Sequence, residues 1–458
     1  MKIHPAIKDI AKVFSNGGKQ VYLVGGAVRG PLMRKRPADL DLATDALPEE
    51  VTAMFLSSNP RGYIIPTGIK HGTVTVLFKG LKFEITTFRA ESGYSDGRRP
   101  DKVEFGVSIE ADLSRRDFTM NAIAWKLPSG PLVDPFKGAK DIKAKIIRCV
   151  GAAEERFAED GLRPLRGLRF ASQLEFKVDE AVLAAIPSSL GLTAKISPER
   201  VRDEIDKIIA SKRPSISLRL MEQTGLLNLI IPELAACRKI EQKGRHRFDV
   251  LEHSLMACDF AAAEKYPHEI RLAALYHDIG KRSVAKLDAD GNYSFHRHEK
   301  QSALDARNIM LRLRYPNVVT DEVCHLIEEH MFFYEENWTD AAVRRFIIKI
   351  GEKNLDSIYR LRRADTYGIC GIPPPPDYLL PLQERVEKIL AGQKAFSIKD
   401  LEISGNDLKE AGVRPGKEMG IILNELLETV IEDPELNTRE KLLEIALKIN
   451  ARYTEAPA

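Results

Sequence analysis

The stretch Val21–Thr44, VYLVGGAVRGPLMRKRPADLDLAT, decides how the front of this chain folds. It opens on an apolar run, VYLV, that reads as a buried strand closed by Gly25 and Gly26. Asp39 and Asp41 stand two residues apart, so on a strand both carboxylates point to one face. Two hard oxygen ligands side by side suit Mg²⁺ rather than a soft metal. A pair of such ions, about 3.5–4 Å apart, activates an attacking hydroxyl and neutralises a leaving group in phosphoryl transfer. The glycines let backbone N–H groups approach a phosphate chain, a following helix N-terminus favours anions, and Arg29 adds a charge-assisted contact. Taken alone, a D-x-D pair also reads as a solvated strand end, and Gly-Gly as a turn. Neither a Walker motif nor a dinucleotide fingerprint fits the stretch.

Working outward, GTVTVLF and LKFEITTF read as strands, the second carrying Glu84 as a candidate third carboxylate. Strand patterns dominate to about Val133. From about Glu154 the apolar spacing turns helical almost to the C-terminus, as in VRDEIDKIIA and IILNELLETVI. The run GIPPPPDY, Gly371–Tyr378, excludes a helix and predicts a linker. The fold class is α+β: a mixed sheet with helices in front, all-α behind.

At 458 residues the chain exceeds one ordinary domain, and about three or four units are expected. With 44% hydrophobic and 29% charged residues it has ample material for cores. A net charge of +3 announces no polyanionic partner, so local arginine clusters carry that argument. Cys149, Cys237, Cys258, Cys324 and Cys370 form no CxxC pair, which suits reduced thiols in a cytoplasm. The charged, amphipathic start MKIHPAIKDIAKVF is neither a signal peptide nor a membrane span, and no apolar run reaches the roughly 18 residues a span needs. A cytoplasmic protein without a membrane partner is expected.

GGAVR followed by DLDLAT resembles the head domain of bacterial CCA-adding enzymes and poly(A) polymerases, in the polymerase-beta-like nucleotidyltransferase superfamily. The likeness continues through HGTVTV, EITTFRAESGYSDGRRPDKVEF, DLSRRDFTMNAIA, LVDPFKGAKDIKAKIIRCVG, RFAEDGLRPLRGLRFA and SPERVRDEIDKII, roughly the first 215 residues. It implies a tRNA nucleotidyltransferase that builds or repairs the 3′ CCA end from CTP and ATP without a nucleic-acid template. By that likeness Asp39 and Asp41 hold Mg²⁺, while Gly26 and Arg29 contact the nucleotide. Arg116 would bind its phosphates or sugar, and Asp160 with Arg163 would read the base edge. Arg166 and Arg169 follow at three-residue steps on the same helix, turning from the base towards the phosphates. A carboxylate accepts from the amino group shared by cytosine and adenine, and a guanidinium donates to a ring nitrogen or carbonyl, so one pair serves both. Uracil and guanine would leave a buried polar group unpaired.

Two positions depart from the family pattern. Gly30 stands where an aspartate is usual, and Pro164 where an ordinary helix former is usual. Proline suits a first helical turn but costs roughly 3 kcal/mol inside a helix, so the base-reading helix is expected to start near Asp160 or to kink there.

A second constellation comprises His253, His277, Asp278, His298, His330 and Asp365 on helical patterns, a set suited to one or two transition-metal ions such as Ni, Mn, Co or Fe. Its H…HD…D spacing resembles the HD phosphohydrolase superfamily, with two additional histidines, and implies phosphatase or cyclic phosphodiesterase activity. A metal that only staples the helical body is the alternative. The expected division is a head over 1–150, a neck over 151–215, an HD body over 216–370 and a linker with a tRNA-binding tail over 371–458. Besides full CCA addition, two other readings stand: an enzyme adding only the terminal A, and a metal-dependent HD phosphohydrolase with an RNA-binding front domain. The stretch ESGYSDGRRPDKVEF, read as a flexible loop, argues against a CC-only enzyme. The oligomeric state, monomer or homodimer, stays open.

Overall fold

The computed structural model describes residues 4–37, 39–58, 62–65, 72–93, 102–242, 244, 246–287, 293–392 and 397–454. Most of the expected loop, 94–101, lies outside them. The chain forms two compact units, one of residues 1–236 with 312–315, the other of 237–311 with 316–458. The neck therefore shares a unit with the head, and the tail shares one with the histidine-bearing helices.

In the first unit the strands are β1 (Val21–Val24), β2 (Asp41–Thr44), β3 (Tyr63–Ile65), β4 (Thr73–Phe78), β5 (Leu81–Thr87), β6 (Arg89–Ser92), β7 (Lys102–Phe105), β8 (Ala124–Lys126) and β9 (Leu132–Val133). A seven-stranded mixed sheet runs β3-β4-β5-β2-β1-β8-β9. Every residue of β1 is buried, as expected of a central strand covered on both faces. The helix Pro5–Asn16 buries Ile7, Ile10, Ala11 and Phe14, which share one face at three- and four-residue spacing. Phe14 meets Phe55 of the Pro48–Leu56 helix edge to face, and Phe55 meets Phe78 of β4 in the same way.

One pairing positions the chemistry. Strands β2 and β5 are parallel, and their register sets Asp41 directly against Glu84. Antiparallel β6 and β7 form a separate ribbon. After the sheet come the neck helices Ala153–Glu159, Arg163–Leu174, Glu180–Thr193 and Pro198–Ile209. Pro164 lies in the first turn of the Arg163–Leu174 helix, where a missing N–H costs nothing, and Asp160 caps the preceding helix. The helix thus begins three residues past Asp160 with no interior proline.

In the second unit the helix Val250–Ala263 packs against Leu355–Cys370 and His268–Tyr276. The approach is close enough that a Cβ at Gly368 would fall 2.9 Å from the His253 ring. The Leu355–Cys370 helix ends at Gly371 with φ +74°, a left-handed cap. The proline run that follows is clamped by Arg363, which donates to the carbonyls of Pro375 and Pro376 at 2.9 and 3.2 Å. The tail has its own core, with Leu408, Ile422, Leu426, Val430, Leu442 and Ala446 buried together.

Candidate active site and a second ligand cluster

The first unit holds a cleft of about 820 Å³ whose lining includes Asp39, Asp41, Glu84, Gly25, Gly26, Arg29, Arg116, Asp160, Arg163, Arg166 and Arg169. All the front-domain residues expected from the sequence therefore share one cavity. Eleven basic and five acidic side chains line it, so it favours a polyanion everywhere except over the three carboxylates. Burial, and then the charges of Glu84 and Asp39, push the Asp41 carboxyl up to about 6. Lys82 pairs with Glu84 at 2.8 Å, and the three crowded acids still fit a divalent cation by charge and by ligand hardness.

Gly25, with φ +58°, does the steric work assigned to the Gly-Gly pair. A Cβ there would lie 3.4 Å from Arg116 Nη1 and 3.7 Å from Asp41 Oδ2. At Gly26 a Cβ would meet nothing within 4 Å, leaving the backbone open to the cleft. The helix that follows, Gly26–Leu32, has only seven residues, so its dipole adds little. A side chain at Gly30 would press on Lys35 O and on Pro37 at 3.3 Å, which accounts for glycine at this departure from the family pattern.

The arginines are held by partners the motif reading did not single out. Asp117, 8% exposed, accepts from Arg166 Nε and Nη2 at 2.9 and 2.8 Å and from Asn121 Nδ2 at 2.9 Å. Burial opposes its charge, but Arg166 and these hydrogen bonds prevail and lower its carboxyl to about 2. Asn121 in turn accepts from Arg29. Arg29 and Arg169 lie over the Phe170 ring, 4.9 and 4.0 Å from its centre. Burial lowers Arg29 to about 10, and the charges of Arg169 and Arg166 add to that, so the pocket gains from an incoming anion. Arg169 is paired with buried Glu204 at 2.5 Å.

Asp160 and Arg163 do not pair with each other. Asp160 accepts from Leu162 N and from Arg200 Nη2 at 3.0 and 2.9 Å. Arg163 donates to Glu159, to Arg156 O and to Arg115 O. Each carboxylate oxygen of Asp160 keeps a lone pair, and Arg163 keeps donors beyond the three it uses. Asp117 was in view in the sequence, directly after Arg116; the pairings of Arg200 and Glu204, some 40 residues away, carried no local signal.

In the second unit the six expected ligands converge and are all buried, between 0% and 7% exposed. His253 Nε2 lies 2.9 Å from His277 Nε2 and 3.2 Å from both Asp278 Oδ2 and Asp365 Oδ1. Nδ1 of His277, His298 and His330 faces the carbonyl of Ala274, Phe295 and Ile327 at 2.9, 2.9 and 2.7 Å, which turns each Nε2 inward. His298 Nε2 faces Asp278 Oδ1 at 3.2 Å. Two groups, His253–His277–Asp365 and His277–Asp278–His330, each bring three donor atoms within 4.8 Å of one another. Buried imidazole nitrogens and carboxylates turned onto one another fit one or two transition-metal ions. Burial opposes a charge on His277, but Asp278 and Asp365 raise it to about 10, while burial and His277 lower His330 to about 3. Lys281 holds Asp278 and Arg362 holds Asp365, each at 2.7 Å. Neither cation was singled out in the sequence, although each stands three residues from its ligand.

Fold and cleft together define a nucleotidyltransferase of the poly(A) polymerase class, and the "Poly A polymerase head domain" family model matches residues 21–148. A CCA-adding enzyme from Lactobacillus delbrueckii subsp. bulgaricus is 33% identical over 435 residues, 95% of each chain. The chain belongs to the CCA-adding enzyme family. A model described as "Probable RNA and SrmB- binding site of polymerase A" matches 175–238, and one for tRNA nucleotidyltransferase domain 2 matches 295–446. A CCA-adding enzyme from Geobacillus kaustophilus is 45% identical over 227 residues, 50% of this chain and 54% of that one. The structure of a Bacillus stearothermophilus CCA-adding enzyme in complex with CTP superposes with a TM-score of 0.73 at 29% identity, covering 99% of this chain and 100% of that one. No described helix is long and apolar enough to cross a membrane.

Proposed function

We propose that the chain adds C, C and A in turn to the 3′ end of tRNA, taking CTP and ATP as donors. One observation carries this reading: a single cleft joins three carboxylates, an arginine wall and the Asp160–Arg163 pair. The 3′-hydroxyl oxygen attacks the α-phosphorus, the bond from that phosphorus to the bridging oxygen of pyrophosphate breaks, and the hydroxyl proton passes to water. Asp39, Asp41 and Glu84 would hold Mg²⁺, which supplies Lewis-acid charge for the hydroxyl and the leaving pyrophosphate. Arg29, Arg116, Arg166 and Arg169 bind and orient the triphosphate, Arg169 being held between the Phe170 ring and Glu204. Asp160 accepts from the amino group of cytosine or adenine, and Arg163 donates to the ring.

The test uses three tRNA transcripts ending before CCA, after C and after CC, each offered CTP, ATP or both with Mg²⁺. Completion of all three supports CCA addition. Extension of only the CC-ending transcript, and only by ATP, replaces it with the A-adding reading. Loss of incorporation on Asp39→Ala is required in either case.

The convergence of buried histidine and aspartate donors favours a second activity, metal-dependent hydrolysis of a phosphoester at the histidine–aspartate cluster. Phosphatase assays of Asp278→Ala and Asp39→Ala separate the two: the first should lose hydrolysis alone and the second incorporation alone.

A further inference from the structure

The Ile109–Ser114 helix ends in two adjacent arginines, Arg115 and Arg116, whose charges repel. Asp112 stands three and four residues before them, on the helix face both can reach. It is 1% exposed, and both of its oxygens accept hydrogen bonds. Oδ1 accepts from Arg115 Nε and Nη2 at 3.1 and 2.7 Å and from Arg89 N at 3.4 Å; Oδ2 accepts from Arg116 Nη2 at 3.0 Å. Glu91, on the β6–β7 ribbon, accepts from Arg115 Nη1 at 3.0 Å. The outcome is visible at both ends of the nucleotide cleft. Arg116 Nη1 and Asp41 Oδ2 both lie within 4 Å of where a Cβ on Gly25 would stand. The Arg115 carbonyl accepts from Arg163 Nη2 at 2.9 Å.

We propose that Asp112 is a positioning residue of the nucleotide site: one carboxylate divides two arginines between two tasks. Through Arg116 it presents a cation to the triphosphate, and through Arg115 it holds the backbone that braces Arg163. The inference rests on the nucleotide-binding reading of the cleft. Without Asp112, Arg116 would be free to pair with Asp41, whose Oδ2 flanks the same glycine, and that pairing would occupy the lone pairs a metal needs and remove the cation from the phosphates. Asp112 touches no reacting atom; it acts through Arg116.

The experiment is a double-mutant cycle in the full chain, read by calorimetry with sodium tripolyphosphate and Mg²⁺. Asp112→Asn should weaken tripolyphosphate binding about tenfold, the equivalent of one charge-assisted contact. In an Arg116→Ala background the same change should add less than about twofold, because the residue it acts through is gone. KM for CTP and ATP should rise together, with kcat changed less. Glu91→Gln, which loosens Arg115 and Arg89 but leaves the Asp112 contact with Arg116, should alter the CTP/ATP preference with little change in tripolyphosphate affinity. Should Asp112→Asn fail to fold, Asp112→Glu takes its place, since it keeps the charge and shifts it by one methylene. Equal losses in both backgrounds, no loss in either, or a wild type blind to tripolyphosphate would overturn the proposal. Incorporation that survives Asp39→Ala would instead sink the nucleotidyltransfer reading while leaving this cycle interpretable.

Discussion

Asp117→Asn removes a charge and little volume from the centre of the arginine wall, and its cost can be worked from the geometry. The native carboxylate takes two hydrogen bonds from Arg166 on one oxygen, and others from Asn121 and Phe118 N on the other. Lowering its carboxyl from 3.8 to about 2 corresponds to about 2–3 kcal/mol of stability. Because the folded value is depressed, that stability is present above pH 3.8 and is lost as the pH falls through about 2. Asparagine also leaves Arg166, whose side chain is 32% exposed, without its counter-charge, a cost below the roughly 3–5 kcal/mol of a fully buried pair. For a unit of this size each kcal/mol moves the melting temperature by about 2–4 °C, so a cost of about 2–3 kcal/mol corresponds to a loss of roughly 4–12 °C. Thermal melts of wild type, Asp117→Asn, Arg166→Gln and the double variant measure it. The double variant should recover part of the loss, with a coupling of about 1–3 kcal/mol. KM for both nucleotides should rise, because Arg166, and Arg29 through Asn121, lose their anchor. A melting temperature within about 2 °C of wild type, or additive single effects, would refute the account of Asp117 as the anchor.

Pro164→Met should leave CTP/ATP selectivity unchanged and stability within about 1 kcal/mol, because position 164 lies in a first helical turn; a selectivity change in the incorporation assay would contradict this. Gly368→Ala would press a methyl group to within 2.9 Å of the His253 ring; overpacking of about 1–3 kcal/mol and weakened metal retention, read by melting and elemental analysis, are expected. Adding Mn²⁺ or Co²⁺ at about a hundredfold over the dissociation constant to chelator-stripped protein should stabilise the second unit by about 2.7 kcal/mol, seen as a raised melting transition; Asp278→Ala should abolish the rise. An unmoved transition in the wild type would argue against a metal centre among the histidines.

The front site was legible because its ligands are close in sequence or lie in dense motifs: Gly25 to Asp41 in seventeen residues, Asp160 to Arg169 in ten. Glu84 was only a candidate, since strand pairing is not a local property; the parallel register that sets it against Asp41 comes from the sheet. The base-reading pair was named, yet its resting partners were not, because Arg200 reaches Asp160 from another helix. The six candidate metal ligands were grouped over more than a hundred residues by type and spacing, whereas the inward turn of Nε2 in His277, His298 and His330 was not.

By itself the sequence determined the ingredients: alternating and helical periodicities, the carboxylate pair, the arginine helix and the histidine–aspartate set. These follow from local chemistry, since side-chain direction along a strand or helix is set by backbone geometry. Only the tertiary structure decided which charges neutralise which. Asp117 took Arg166, Asp160 took Arg200, Glu204 took Arg169, and Asp112 took both of its neighbours. The physical reason is that a buried charge requires a partner within a few ångströms, and packing alone determines which one is there.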